Sequence, residues 1–407
     1  MATKNKFVAN KNIQHLYNIS NKNERVILGL MSGTSLDGLD LALCKISGSS
    51  TNTVFELLHF ETVAYNNDFK QELQSIFCKE QVSLEKVCLM NNYVAQIHSK
   101  IINVTLQKWN VQNREVDVIA SHGQTIYHSP KNKHQQQKFG NATLQIGDGD
   151  TIAYNTQIIT VSDFRQKHIV AGGSGAPLAI YGDYFLFSKQ NENRILLNIG
   201  GIANFTYLPS SKNFNDVFCT DVGPGNTLMD NYIQQNFEGQ YFDKDGVIAQ
   251  QGNVSDELLA ELLQQHFFSL AYPKSTGQEL FNMDFINQAL QSSYQTIINK
   301  YDVVATLNMF TAKCIANAIY QTITEKDFTI YTSGGGLHNK TLMQNLQQLL
   351  PNNVIQSTEN LGINPNAKEA ILFAILANET LCGNHNFYNS TSGVRPKVTM
   401  GKVSFAT

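Results

Sequence analysis

The 407-residue chain has no GxxxxGKS/T run, which excludes phosphate binding of the P-loop kind. No GxGxxG follows a strand-like run, and neither HExxH nor GxSxG occurs, so dinucleotide, zinc-protease and serine-hydrolase readings also fall. The six cysteines (Cys44, Cys78, Cys88, Cys219, Cys314, Cys382) form no CxxC pair, and are expected to be reduced thiols of a cytoplasmic protein. Charge of one sign is also lacking. Lys+Arg is 30 against Asp+Glu 33, a net −3, which gives no basic surface for nucleic acid. No apolar run approaches the roughly 20 residues a bilayer requires. Residues 1–24 are polar, rich in Asn and Lys, and lack the apolar core of a signal peptide. The expectation is a soluble, cytoplasmic protein with no membrane or nucleic-acid partner.

What remains is an ordinary globular composition, 42% hydrophobic and 15% charged, with length enough for two domains of roughly 100–200 residues each. Val26, Leu28 and Leu30 alternate into a small-residue turn, and Leu39, Leu41 and Leu43 alternate out of it, predicting a hairpin. A similar unit recurs: Arg194–Ile199, then Gly200-Gly201, then Ile202–Leu208. The repetition predicts two α/β domains built on one plan. Helices are predicted near 68–110, 226–237, 255–270, 283–299, 303–323, 340–350 and 367–381. Strands are predicted at 116–120, 216–220, 328–332 and 398–405, and 131–139 and 383–395 read as loops.

Five polar, glycine-rich turns carry the chemistry. In Gly33-Thr34-Ser35-Leu36-Asp37-Gly38-Leu39-Asp40 the glycines allow close backbone approach, so consecutive N–H groups can form an anion concavity. Asp37 or Asp40 could hold a hydrated Mg²⁺. An ordinary hairpin tip would have the same composition. Ser121-His122-Gly123-Gln124-Thr125 follows a buried-looking strand, where open α/β sheets bind ligands, or is simply a loop with a surface His. Arg165, in Asp163-Phe164-Arg165, can fork onto a carboxylate, and Ala171–Pro177 marks a flexible crossing or a site. Asp221, before Gly223-Pro224-Gly225, suits a general base or a helix cap. Gly334-Gly335-Gly336 joins a strand to a helix and would let a purine or phosphate lie against backbone.

Taken in order, Gly29–Gly38, Ser121–Thr125, Asp163–Arg165, Gly175–Leu178, Asn198–Asn204, Asp221–Asn226 and Ser333–Asn339 resemble the anhydro-N-acetylmuramic acid kinase family over about residues 25–382. The resemblance implies two ribonuclease-H-like domains of the actin/Hsp70/sugar-kinase superfamily with ATP bound between them, Mg²⁺, and a homodimer. It implies that water opens the 1,6-anhydro ring while the γ-phosphoryl of ATP passes to O6, giving N-acetylmuramate 6-phosphate in cell-wall recycling. Asp221 would be the base. Gly33–Asp40, Gly200 and Gly201 would grip the phosphates, and Gly334–Gly336 the adenosine. His122, Gln124, Arg165 and Glu369 would line the sugar site.

The domains are expected at 25–165 plus 384–407, and at 166–383, after a polar extension over 1–24. That extension and the 131–139 insert look peripheral and unstructured. Val222 departs from the family, which has Thr after the acid. A kinase of another anhydrosugar such as levoglucosan would share these motifs, and a non-catalytic nucleotide switch would share the fold.

Overall fold

A computed structural model describes residues 10–173, 175, 178–277, 279–293, 299–383 and 398–406. The sequence expectations for Ser174, Ala176 and Pro177, for the end of the 283–299 helix and for most of 383–395 lie outside those residues. Chain contacts divide the molecule into two compact units, Met1–Leu186 with Asn366–Thr407, and Phe187–Pro365.

The first unit opens on β1 (Glu24–Ser32), β2 (Gly38–Ser47) and β3 (Val54–Ala64), then β4 (Val118–Ser129), β5 (Ala142–Ile146) and β6 (Thr160–Ser162). The second holds β7 (Arg194–Ile199), β8 (Ile202–Leu208), β9 (Phe218–Pro224), β10 (Thr329–Ser333) and β11 (Val354–Ser357). The chain then returns to the first unit through the helix Lys368–Cys382 and ends on β12 (Lys402–Ser404). In the first sheet the order is β12-β6-β4-β1-β2-β3, with β5 on β4. In the second it is β11-β10-β7-β8-β9.

Directions agree as well as order. β1–β2–β3 and β7–β8–β9 are antiparallel meanders, while β4 and β6, like β10 and β11, run parallel to the first strand of their meander. This is the ribonuclease-H-like plan, present twice, as the repeated hairpin implied.

Side-chain alternation explains the layers. Leu28, Leu30, Leu41 and Leu43 meet helix Leu84–Lys108 on one face of the first sheet. On the other face, helix Lys368–Cys382 lies so close that a Cβ on Gly29 would stand 1.9 Å from the carbonyl oxygen of Ala370. Ten consecutive residues of that helix, Ala370–Glu379, are buried. This contact corrects the expected boundaries. Residues 166–186 and 366–383 belong with the first unit, because the helix covers β1, β2 and β4. In the second unit helix Lys300–Thr322 is long and apolar enough for a bilayer, yet most of it is buried in the core beside Leu197, Phe205 and Ile330.

Three further differences have clear causes. Residues 11–20 form a helix: Asn10 Oδ1 caps Asn12 N at 2.8 Å, Ile19 is buried, and the following Lys22 pairs with Asp117. The Ser121–Thr125 segment is strand, since β4 continues to Ser129 by pairing with β5. Residues 131–134 make one helical turn, tied down by Asn141 Oδ1, which accepts from Lys131 N at 2.8 Å.

Candidate active site

In the first unit the turn after β1 takes its shape from Leu36, where the sequence reading relied on the glycines for backbone freedom. Leu36, not a glycine, has the positive φ (57°), and its side chain is buried in the core. That burial offsets the cost of a left-handed leucine, on the order of 1–2 kcal/mol. Gly38 is required for another reason: a Cβ there would lie 2.7 Å from the carbonyl oxygen of Val63 on β3.

Behind the turn runs a buried hydrogen-bond chain. Gln124 Nε2 donates to the carbonyls of Gly33 and Thr125, both at 3.1 Å, which fixes the orientation of its amide. Gln124 Oε1 therefore accepts from Ser32 Oγ at 2.5 Å, and Ser32 Oγ accepts from Tyr65 at 2.7 Å. Tyr65 in turn meets His98 Nε2 at 2.8 Å, and burial holds the His98 pKa down at about 4, so it is a neutral partner. Gln124, expected to line the sugar site, thus stands behind the turn, wholly buried. Asp37 accepts from Ser35 at 2.7 Å and Asp40 from Thr62 at 2.6 Å. Burial raises the Asp40 pKa, the Thr62 bond opposes this, and Asp37 adds to the rise, so the carboxylates feel each other. Two carboxylates with waters and phosphate oxygens to complete the shell fit Mg²⁺, which seldom uses an all-protein cage.

Arg165, near the start of helix Phe164–Val170, donates from Nε to His122 Nε2 at 2.9 Å and from Nη1 to the carbonyl of Gly175 at 2.7 Å. His122 is buried, and its pKa is held at about 3 by burial and by the Arg165 charge. It is therefore a neutral acceptor that aims the guanidinium. Arg165 Nη2 has no hydrogen-bond partner among the described residues. Burial lowers the pKa of Arg165 and Glu369 counters it. Burial raises that of Glu369 and Arg165 counters it. The guanidinium thus keeps an unused donor edge, while Glu369 offsets part of its charge.

In the second unit the β7–β8 tip is stapled to the helix Thr227–Asn236. Gly200 O accepts from Asn226 N at 2.8 Å, and Gly201 O from Gly225 N at 2.9 Å. The approach needs glycine at 225, where a Cβ would sit 2.2 Å from Gly200 O, and at 334, where φ is 85°. Gly335 borders a cavity of about 670 Å³ lined also by Asn226, Asp230, Tyr241, Phe242 and His338. Tyr241 and Phe242 are exposed there, a flat apolar pair suited to a nucleobase.

Asp221 lies within β9. Its N–H donates to Lys274 O at 3.0 Å, and its Oδ2 accepts from Thr276 N at 2.9 Å. Burial raises its pKa and the Thr276 bond lowers it. The segment 274–276 is held by buried Lys274, whose ammonium donates to the carbonyls of Phe267 (2.9 Å), Leu270 (3.3 Å) and Phe268 (3.4 Å) and lies 4.0 Å from the Tyr272 ring centre. Sequence reasoning missed this support: Pro273-Lys274-Ser275-Thr276-Gly277 has no periodicity, and its Thr276 lies 55 positions beyond the acid it serves. Val222, which stands where β9 skips a position in its pairing with β8, is buried in the apolar core.

The sequence-chosen residues thus fall into two sets. Gly33–Asp40, His122, Gln124, Arg165 and Glu369 belong to the first unit, and Gly200, Gly201, Asp221 and Gly334–Gly336 to the second. Twin ribonuclease-H-like units, each with a glycine-rich hairpin, define the actin/Hsp70/sugar-kinase class of folds. A family model for anhydro-N-acetylmuramic acid kinase matches residues 25–406, and the chain belongs to that family. It is 53% identical over 399 residues to the anhydro-N-acetylmuramic acid kinase of Pseudoalteromonas atlantica, covering 97% of this chain and 99% of that one. Identity to the kinase of the same name from Caldanaerobacter subterraneus is 40% over 395 residues, covering 96% and 100%.

Proposed function

We propose that this chain converts 1,6-anhydro-N-acetylmuramic acid, ATP and water into N-acetylmuramate 6-phosphate and ADP, as a cytoplasmic homodimer serving cell-wall recycling. The observation that carries the reading is the geometry of Asp221, a half-buried carboxylate on β9 fixed at one oxygen by Thr276 N–H. In the reaction, water oxygen attacks C1 from the face opposite the bridge and its proton goes to Asp221. The C1–O6 bond breaks as O6 takes the γ-phosphoryl, so no free alkoxide has to leave.

The turn Gly33–Gly38 and the Gly200-Gly201 tip would position the phosphates, work done mainly by orientation and backbone N–H groups. Asp37 and Asp40 would hold Mg²⁺ through water, the ion supplying neutralisation of phosphate charge. Arg165, with Nη2 unbonded among the described residues and His122 behind it, favours a substrate carrying a carboxylate, which the muramyl lactyl group has and levoglucosan lacks.

The test incubates the chain with Mg²⁺-ATP and either sugar. One ADP should form per sugar phosphate, with the muramyl sugar preferred, and ¹⁸O-water should label the anomeric oxygen alone. Label appearing in phosphate would mean plain ATP hydrolysis and would end the proposal; preference for levoglucosan would transfer it to that sugar. For the nucleotide, Tyr241→Ala should raise the KM for ATP about tenfold, the usual worth of one base–aromatic stack, and leave the sugar KM unchanged. An unaltered ATP KM would place the base elsewhere.

A further inference from the structure

Thr276 Oγ is buried and has no hydrogen-bond partner among the described residues, although its own N–H is spent on Asp221 Oδ2 at 2.9 Å. A hydroxyl in that condition loses its hydration without compensation, and in a native protein such a group calls for a reason. The neighbouring threonine shows the contrast. Thr220 Oγ1 accepts from Lys274 N at 3.0 Å and lies 3.2 Å from Lys274 O and 3.0 Å from Asp221 O, so it is fully used in joining the two segments. The backbone that carries Thr276 is held in place. Lys274, two residues earlier, is buried and anchored to three carbonyls, and the Thr276 backbone is itself tied to the strand that carries Asp221.

This inference rests on Asp221 being the base that activates water. A water that attacks carbon must direct a lone pair at it, so both its protons need acceptors on the protein side. Asp221 Oδ2 already takes the Thr276 N–H, which leaves Oδ1 for the proton to be removed. One hydrogen bond lets a water spin about its axis, and a second acceptor on the same wall stops it. We propose that Thr276 is a second catalytic residue, its hydroxyl oxygen holding the attacking water beside Asp221 while its N–H fixes the carboxylate.

Thr276→Val keeps the shape and the N–H and removes only the oxygen. Its kcat should fall by about tenfold to a hundredfold, with KM for ATP and for sugar within about twofold of the unaltered chain, because the loss lies in the water and not in binding. Its melting temperature should hold or rise, since an unpaired polar atom has been replaced by an apolar one. Thr276→Ser should restore most of kcat. A purely structural threonine would instead lose stability as valine and leave kcat of the folded enzyme intact. If the valine variant does not fold, the Thr276→Ala and Thr276→Ser pair answers the same question: serine active and alanine impaired supports the proposal, and equal kcat overturns it.

Asp221→Asn run in parallel separates the two readings. With that variant inactive, a fully active Thr276→Val sinks the role of Thr276 alone. An active Asp221→Asn, or an unaltered chain that turns over neither sugar, removes the base and this proposal with it.

Discussion

Asp221→Asn is expected to lower kcat by about 10²–10⁴-fold, the span a positioned general base contributes, while ATP affinity stays near that of the unaltered chain. Asparagine is nearly isosteric and its amide oxygen can still accept from Thr276 N, so the support built by Lys274 survives. What is lost is the ability to take a proton. The pH dependence follows from the direction of the shift. Burial raises the Asp221 pKa above the ordinary aspartate value of 3.8, and the reaction needs the carboxylate. kcat/KM should therefore fall as pH drops through that raised pKa, and this acidic limb should be absent in whatever activity the asparagine variant retains.

Stability should move the opposite way. A carboxyl with a raised pKa in the fold binds its proton more tightly there than when unfolded, so its contribution is present below the unfolded pKa and is lost as pH rises through the folded one. At neutral pH the asparagine variant should thus unfold no more readily than the unaltered chain. Urea titrations at pH 7 check the second expectation and pH–rate profiles the first. A variant with near-normal kcat would take Asp221 out of the base role.

Gly29→Ala is expected to be the most damaging single methyl group in the first unit. The added Cβ would stand 1.9 Å from Ala370 O and 3.0 Å from Ala374 N, both backbone atoms of a buried helix that has no flexible end to yield. Overpacking of this kind costs about 1–3 kcal/mol, and the whole helix must move off β1 to relieve it. Glu369 precedes Ala370 and interacts with Arg165, so the shift should also reach the site proposed for the sugar. A lowered urea midpoint should accompany a raised sugar KM with the ATP KM little changed. An unaltered midpoint would mean that the helix can slide without cost.

The outline of this fold was readable because its signals are local. Val26, Leu28 and Leu30 alternate into a turn, Arg194–Ile199 does the same, and the repetition of that pattern is the repetition of the sheet. The turns at Gly33–Gly38 and Gly200-Gly201 were readable as strand connections for the same reason. Less legible was anything held by distant partners. The 11–20 segment is polar and Asn-rich and gives little helical signal by itself. Its place is secured by Lys22 on Asp117 and by the following Arg25, which donates to Asn378 Oδ1 at 2.7 Å. Gln124, expected among the sugar-lining residues, is held behind the turn by Ser32 and the Gly33 carbonyl, which lie 92 and 91 positions away. Leu36 in a left-handed conformation runs against local preference, and only the core beneath it makes the choice favourable.

The return of the chain to its first unit has a temporal consequence. β1 is made among the first few dozen residues, yet the helix that covers its Gly29 face begins only at Lys368. The second unit, continuous from Phe187 to Pro365, holds its whole sheet within that span. A ribosome moving at roughly 5–20 residues per second would therefore release a finished second unit while the first still exposes an uncovered apolar face. The earlier-synthesised half must wait for the later one, and the interval is when this protein is most open to chaperones and to aggregation.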